Sequence, residues 1–131
     1  MAFIDFKDAS KNYFEGRRFY SPSNQDIELA IDGNLPGPTE AQKQFFQRTE
    51  YDYKILIENA IPLITDEFQN WRSDFQIQNF EQEFWPVHMT IPLIGHREVI
   101  WELAFRTTHD QNHTVTITYK DFEASEILID G

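Results

Sequence analysis

The sequence predicts an α+β fold in which an antiparallel sheet is covered on one face by one long helix. Two blocks of alternating apolar and polar residues, Tyr13–Tyr20 and Ile27–Ile31, flank the turn-forming run Ser21–Gln25. This pattern is typical of a β-hairpin with a long loop. A helical pattern comes next, and the second half of the chain indicates a series of short strands. The predicted order is therefore β-β-α-β-β-β-β within a single domain, residues 1–131.

The helix is predicted from its cap and from its apolar spacing. Thr39 followed by Gln42 fits a capping box, in which each residue satisfies a free amide of the other. Because Pro62 lacks the amide that a helix interior needs, we expect a helix from about Glu40 to Ala60 and a second, kinked or separate piece to about Trp71. Steps of three, four and seven place the apolar residues on one helical face: Phe45, Phe46, Tyr53, Leu56, Ile57, Ala60, Leu63, Ile64, Phe68 and Trp71.

The second half of the chain predicts a meander of four strands joined by short connections. Residues before 13 indicate an entry segment or a short helix, and Ser73–Glu83 is ambiguous between a loop and a short helix. The predicted strands are Phe84–Ile91, Arg97–Arg106, His113–Lys120 and Glu126–Asp130. The side chains expected to point inward are Val87, Met89, Ile91, Trp101, Leu103, Phe105, Val115, Ile117 and Tyr119.

Composition and charge favour an intracellular protein with a basic partner. The 131 residues include no Cys, and the formal net charge is −11. Acids outnumber bases most strongly after residue 73, where only Arg97, Arg106 and Lys120 are basic. This charge disfavours nucleic acid and anionic membranes and is compatible with a basic protein partner. It is equally compatible with acidic charge that only keeps the protein in solution. Because no signal peptide or membrane span is indicated, cytoplasmic localisation is expected. The sequence leaves the oligomeric state open.

Candidate metal and catalytic residues are few, and no motif in the sequence names a reaction. His109 and His113 have the H-x₃-H spacing of many zinc sites, but they flank a predicted turn rather than lie on a helix. Whether these two imidazoles meet stays open. We predict no catalytic residue, no cofactor and no metal, and no nucleotide-binding loop or nucleophile motif is present.

An alternative reading places a ligand pocket between helix and sheet. Its candidate lining is aromatic and polar: Trp85, His88, Trp101, Glu102 and Tyr119. A buried Glu102 near a histidine would have a raised pKa and could act in acid–base chemistry. The same residue could instead face solvent on the open side of the sheet, with Arg106 as its neighbour on that face.

The order of landmarks resembles a loose group of small bacterial domains of unknown function, some of which are immunity-type proteins. The landmarks include the Tyr13–Gly16 strand entry, the Ile27–Ile31 strand and a long helix that ends near Trp71. The resemblance continues through the turn His109–His113 and ends with the Val115–Tyr119 strand and the terminal Ile129–Gly131. It implies no catalytic residue.

We therefore predict a non-catalytic protein-binding domain, in its sharpest form an immunity-type protein that neutralises a basic toxin. A pocket-bearing small-molecule-binding protein or enzyme is the alternative. The acids expected to contact the partner come from the C-terminal half of the chain, where acidic charge would speed association with a basic protein: Glu98, Asp110, Asp121, Glu123 and Glu126.

Overall fold

The computed structural model describes residues 6–7, 13–33 and 37–130, which form one sheet of seven strands and three helices. The strands lie side by side in the order of the sequence. The α+β class is confirmed. In chain order the elements are β1 (Phe6–Lys7), β2 (Tyr13–Tyr20), β3 (Gln25–Asp32), α1 (Glu40–Tyr51), α2 (Tyr53–Gln69), α3 (Phe80–Glu83), β4 (Phe84–Ile91), β5 (Ile100–Thr107), β6 (Asp110–Lys120) and β7 (Glu123–Asp130).

The extreme N-terminal segment is described only in part. Phe6–Lys7 form the two-residue strand β1, which pairs with β2. The rest of the predicted entry segment, residues 1–5 and 8–12, lies outside the described residues. The segment that the sequence left ambiguous contains α3, whose cap is Asn79: its side chain accepts a hydrogen bond from the amide of Gln82.

The prediction of a wholly antiparallel sheet is wrong at one strand pair. β3 and β4 are parallel, with Leu29 opposite Met89 and Ile31 opposite Ile91. Two neighbouring strands can be parallel only if the connection between them returns the chain to the end of the sheet where the first strand began. The helices, which lie between β3 and β4 in sequence, make this connection. The other neighbouring strands are antiparallel. Strand alternation is the same in both arrangements, so the sequence pattern could not distinguish them.

The single long helix is also a wrong prediction, because α1 and α2 divide at Asp52 and not at Pro62. The amide of Asp52 bonds to the carbonyl of Arg48 at 2.8 Å, and the Arg48 side chain contacts the Asp52 carboxylate at 3.3 Å. Pro62 lies inside α2. Because Pro62 has no N–H, it cannot donate the helical hydrogen bond to the carbonyl of Glu58. Glu58 is exposed, so water can bond to this carbonyl instead.

The core lies between the helices and one face of the sheet. The inward residues of β5 and β6 are buried as predicted: Trp101, Leu103, Phe105, Val115, Ile117 and Tyr119. Helix residues such as Phe46, Leu56, Ala60 and Ile64 cover them and are fully buried. Trp71 was predicted on the same helical stripe but follows the end of α2 and is 59% exposed. Within the described residues, no helix is long and apolar enough to cross a bilayer.

A β-bulge corrects the prediction for Val87. The pairing of β4 with β5 shifts between Pro86 and His88. As a result Pro86 and Met89 are buried, whereas Val87 is half-buried and lines the open face of the sheet together with His88. An extra residue in one strand reverses the alternation after it, which a period-two pattern does not reveal.

Candidate functional site

One polar cluster joins the end of α2, the helix α3 and the turn between β5 and β6. The Nε2 atom of His109 lies 2.6 Å from a carboxylate oxygen of Glu83, and its Nδ1 atom lies 3.4 Å from the guanidinium of Arg72. The imidazole packs edge-on against the ring of Phe75, with centroids 4.8 Å apart. The side chains of Glu83 and His109 are only 16% and 19% exposed. We call these three residues, Arg72, Glu83 and His109, the histidine cluster.

The protein backbone holds Glu83 in its ionised form. Its second carboxylate oxygen accepts hydrogen bonds from the amides of Gln78 and Asn79. Partial burial of this carboxyl raises its pKa. The hydrogen bonds from Asn79, His109 and Gln78 outweigh that effect, so the pKa of Glu83 lies below its usual value of 4.5.

The cluster can bind a ligand more readily than it can transfer a proton. A guanidinium only donates, so Nδ1 of His109 accepts from Arg72 and the Nε2 proton is donated to Glu83. Both ring nitrogens are therefore engaged, and proton transfer by His109 would first require Arg72 to move. Beside the cluster is an open concavity of about 420 Å³, with a mostly polar lining: Arg72, Asp74, Phe75, Gln76, Gln78, Glu83 and His109.

The lowered pKa of Glu83 makes the stability of the protein depend on acid pH. Above 4.5 the carboxylate is ionised in both folded and unfolded chains, and its stabilising contribution is fully present. As pH falls through the lower folded pKa, that contribution is lost. As pH falls below about 5, we expect the unfolding free energy of the Glu83→Gln variant to decline less steeply than that of wild type, because the variant takes up at most one proton fewer on unfolding.

Urea unfolding at several pH values measures this slope. Glu81→Gln is the matched control, because Glu81 is an exposed acid of the same short helix. An equal slope in wild type and Glu83→Gln would contradict the proposed hydrogen bonding of Glu83.

The two histidines with zinc-like spacing have different partners. His109 contacts Glu83, whereas Nδ1 of His113 lies 2.8 Å from the carboxylate of Asp110. The hydrogen bond from His113 is the main reason why the pKa of Asp110 is below its usual value. No group of three or more histidines and carboxylates that could hold a metal ion is found in the described part of the chain.

The five residues of the sequence-derived pocket lie on opposite faces of the sheet. Trp101 and Tyr119 are buried under the helices, where their rings stack at 4.8 Å. His88 and Glu102 face the open side, which holds a shallow concavity of about 550 Å³ at His88. Trp85 pairs with Arg106 on the same open side and is half-buried. Glu102 is exposed, and so it occupies the solvent-facing position that was its alternative.

The predicted partner-binding acids spread along β7 and the ends of the sheet. Glu98 and Asp121 lie at one end, where the carboxylate of Asp121 accepts a hydrogen bond from the amide of Val99. Glu123 and Glu126 are on β7 itself. Asp110 is at the other end of β6, about 30 Å away along the strand, and its carboxylate is engaged by His113.

The structure adds further acids to this line. β7 is the outermost strand on its side of the described sheet, and α2 packs against it. A groove of about 430 Å³ separates them, lined by Leu63, Asp66, Glu67, Gln69, Asn70 and Ile127. We call the acids of this groove and of β7 the acidic edge: Asp66, Glu67, Glu123, Glu126 and Asp130.

The acids of the acidic edge make no close ion pair with a described base, although Lys120 lies opposite Glu123 in the pairing of β6 with β7. None of the ion pairs between described residues includes any of its five acids. Asp66 and Glu67 are in the last turn of α2, which contains no basic residue. A carboxylate at the C-terminal end of a helix meets the negative end of the helix dipole and destabilises the helix. The acidic charge on this edge is therefore not explained by helix stability.

Neither a protein-family model, a curated protein nor a solved structure matches this chain. No relative assigns a role to the acidic edge or to the histidine cluster. The resemblance to small bacterial domains stays a prediction.

Sequence reasoning named His109 but missed Arg72 and Glu83, because their meeting depends on how α2, α3 and the β5–β6 turn pack. The Asn79–Gln82 spacing is a helix cap signal and could have predicted α3. Asp66 and Glu67 were not among the predicted partner-binding acids. Nothing in the sequence indicated that α2 would lie beside β7.

Proposed function

We propose that this chain is a non-catalytic protein-binding domain whose partner is basic. The observation that supports this most directly is the acidic edge, a line of carboxylates along an open side of the sheet that take part in none of the ion pairs between described residues. Its sharpest form is an immunity-type protein that neutralises a basic toxin, a role that the sequence resemblance suggests. Charge complementarity of this kind steers partners together and can support very tight complexes.

Apolar side chains beside the acids supply the contact area that charge alone does not. Leu128 of β7 is 59% exposed, and Trp71 is exposed to the same extent. Trp71 and Asp110 border a small concavity of about 80 Å³ with Phe68, Arg72 and His109. Binding energy in protein interfaces is concentrated in large side chains, Trp above all, surrounded by polar residues. The surface thus combines apolar anchors with acids.

The proposed function predicts that reversing charge on β7 weakens partner capture. In a salt-gradient pull-down from native lysate, we expect wild type to retain a basic protein that elutes steeply with salt. Glu123→Lys combined with Glu126→Lys should lose that protein, because both carboxylates are exposed on the acidic edge. With the purified partner, the association rate should fall roughly tenfold and depend less on salt.

The matched control is Asp26→Lys combined with Glu58→Lys, two exposed acids on β3 and α2 with the same change in net charge. Circular dichroism checks that both double variants are folded. Equal capture by both would contradict the assignment of partner binding to β7. A partner whose retention is insensitive to salt in all variants would argue against a basic partner.

A second candidate function, small-molecule binding, is favoured by the concavity beside the histidine cluster. The Arg72 guanidinium and the two amide side chains of Gln76 and Gln78 line a volume of about 420 Å³, within the size range of small-ligand sites. A thermal-shift screen of small carboxylates, phosphates and neutral polar compounds would test this role. A ligand that raises the melting temperature of wild type, but not of Arg72→Gln, would support it.

A further inference from the structure

We propose that the basic partner contributes an extended segment that adds to the sheet as a new strand along β7, in the groove between β7 and α2. This inference rests on the proposed function and specifies how the partner is recognised. The segment is expected to alternate basic and apolar side chains along each of its two faces. A synthetic peptide can represent it before any partner is known.

The first support is the open backbone of β7. A strand at the edge of a sheet pairs on one side only, so alternate residues direct their N–H and C=O groups away from the sheet. In the described sheet β7 pairs only with β6. The pairing shifts once, beside Ser125, and from Glu126 to Asp130 the register is regular. Five consecutive residues thus present a straight edge for another strand.

The second support is that this edge lacks the usual protection. Proteins commonly protect exposed edges with Lys, Pro, bulges or a covering segment. Residues Glu126–Asp130 contain neither Lys nor Pro, and three of the five are Ile127, Leu128 and Ile129. The bulge at Ser125 precedes this stretch and does not interrupt it. The charged side chains of this stretch are the acids Glu126 and Asp130, and they would not repel a basic strand.

The third support is the groove, which provides space for the side chains of an added strand. Leu63 and Ile127 supply apolar contact on the helix side, and Asp66 and Glu67 supply negative charge beside it. A strand placed there directs every second side chain into this groove. Helix-facing positions of the partner would therefore combine apolar residues with Lys or Arg.

The side chains on the open face of β7 indicate which residues the partner strand should carry on that face. Glu126, Leu128 and Asp130 pair with the outward threonines of β6, so they lie in a row on the open face in the order acid, apolar, acid. Side chains directly opposite on neighbouring strands interact most strongly, and opposite charges there are favourable. The complementary row on the partner is basic, apolar, basic.

A second copy of this chain fits the same edge poorly. Antiparallel pairing of two β7 strands centred on Leu128 would use the whole regular stretch, but it would place Glu126 opposite Asp130 of the other copy, twice. Like charges directly opposite destabilise a strand pair. The net charge of −11 on each copy adds repulsion at longer range.

The test uses the full chain and three capped peptides of about eight residues, the length of an ordinary strand. One repeats Lys-Lys-Val-Val, so that Lys and Val alternate along each face of the strand. One repeats Glu-Glu-Val-Val. The third is the Lys–Val peptide N-methylated at every second residue on its pairing edge. N-methylation keeps the charge and side chains but removes the donors that a strand needs. Titration calorimetry measures affinity, and amide hydrogen exchange measures protection of residues 123–130.

We expect the Lys–Val peptide to bind and to slow amide exchange in β7. The N-methylated peptide should bind at least about tenfold more weakly, because main-chain hydrogen bonds carry strand addition. The Glu–Val peptide should not bind. Leu128→Lys should weaken binding at least about fivefold by placing a positive charge on the edge. Ile100→Lys is the matched control, since Ile100 is similarly exposed but lies on β5 inside the sheet.

Three results would overturn the strand addition and leave the proposed function standing. In the first, the N-methylated peptide binds as tightly as its parent. In the second, the Lys–Val peptide fails to bind up to about 1 mM, while the pull-down still captures a basic protein and this capture requires Glu123 and Glu126. Equal weakening by Leu128→Lys and Ile100→Lys would also overturn it, because the effect would then be one of net charge. Capture that does not depend on these acids would remove the proposed function, and the strand addition with it.

Discussion

Replacing Gln42 by glutamate is expected to lower the free energy of unfolding by about 3–5 kcal/mol at pH 7, the range seen when a buried charge is left without a partner. Gln42 is fully buried. Its amide nitrogen donates to the carbonyls of Asp32 at 2.7 Å and Pro92 at 3.0 Å, and its amide oxygen accepts from the amide of Thr39 at 2.9 Å. A glutamate carboxylate can still accept from the amide of Thr39. Its second oxygen replaces the NH₂ group, so both donated hydrogen bonds are lost and a charged acceptor faces two carbonyl oxygens.

This loss should depend on pH in a known direction. Burial and the two carbonyl oxygens raise the pKa of the introduced carboxyl in the folded protein above its unfolded value. The variant is therefore least stable above its folded pKa and regains stability, relative to wild type, as pH falls towards the unfolded value. Protonation restores one donor for one of the two carbonyls.

Urea unfolding of wild type and variant at pH 7 and pH 5 measures both effects. Gln44→Glu is the matched control, because Gln44 lies on the same helix and is exposed. A similarly small effect of both substitutions would show that Gln42 does not connect α1 to the ends of β3 and β4.

Replacing Trp101 by alanine is expected to cost about 3–5 kcal/mol of unfolding free energy. The indole is 1% exposed, stacks on Tyr119 at 4.8 Å and meets the ring of Phe45 edge-on at 5.2 Å. Its N–H donates to the carbonyl of Asp121 at 2.7 Å. The substitution therefore leaves a cavity and removes a hydrogen bond. For a domain of typical stability this is a large share of the total.

Two further variants separate these contributions by denaturant unfolding. Trp101→Phe keeps an aromatic ring but removes the N–H, so its cost should be smaller than that of alanine. Trp85→Ala removes an equal side chain from the half-buried open face and should cost clearly less. If Trp85→Ala were as destabilising as Trp101→Ala, the core would not lie where the structure places it.

Much of the local structure could be predicted because it depends on neighbouring residues. The reciprocal hydrogen bonds of Thr39 and Gln42 are those of the predicted capping box. The inward residues of β5 and β6 follow the two-residue repeat and are buried. Where the repeat is interrupted, as at the bulge beside Val87, the prediction is wrong. Local rules work until one extra residue changes the alternation.

The candidate sites were less predictable, since they consist of residues far apart in the chain. His109 and Glu83 are 26 positions apart, and the acids of α2 meet β7 across about half of the sequence. The sequence pointed to acids in the C-terminal half, and two of them, Glu123 and Glu126, lie on the acidic edge. It did not indicate the contribution of Asp66 and Glu67.

The sequence by itself determined the types of element, most inward-facing side chains and the excess of acidic charge, because backbone geometry sets the two-residue and 3.6-residue repeats locally. Only the tertiary structure decided that β3 and β4 pair in parallel and that α2 lies against β7. It also decided that the histidine cluster assembles at the opposite end of the sheet from Glu98 and Asp121. Strand direction and helix placement depend on where distant segments of the chain meet to bury the core. The alternation of residues within one segment carries no information about those distant contacts.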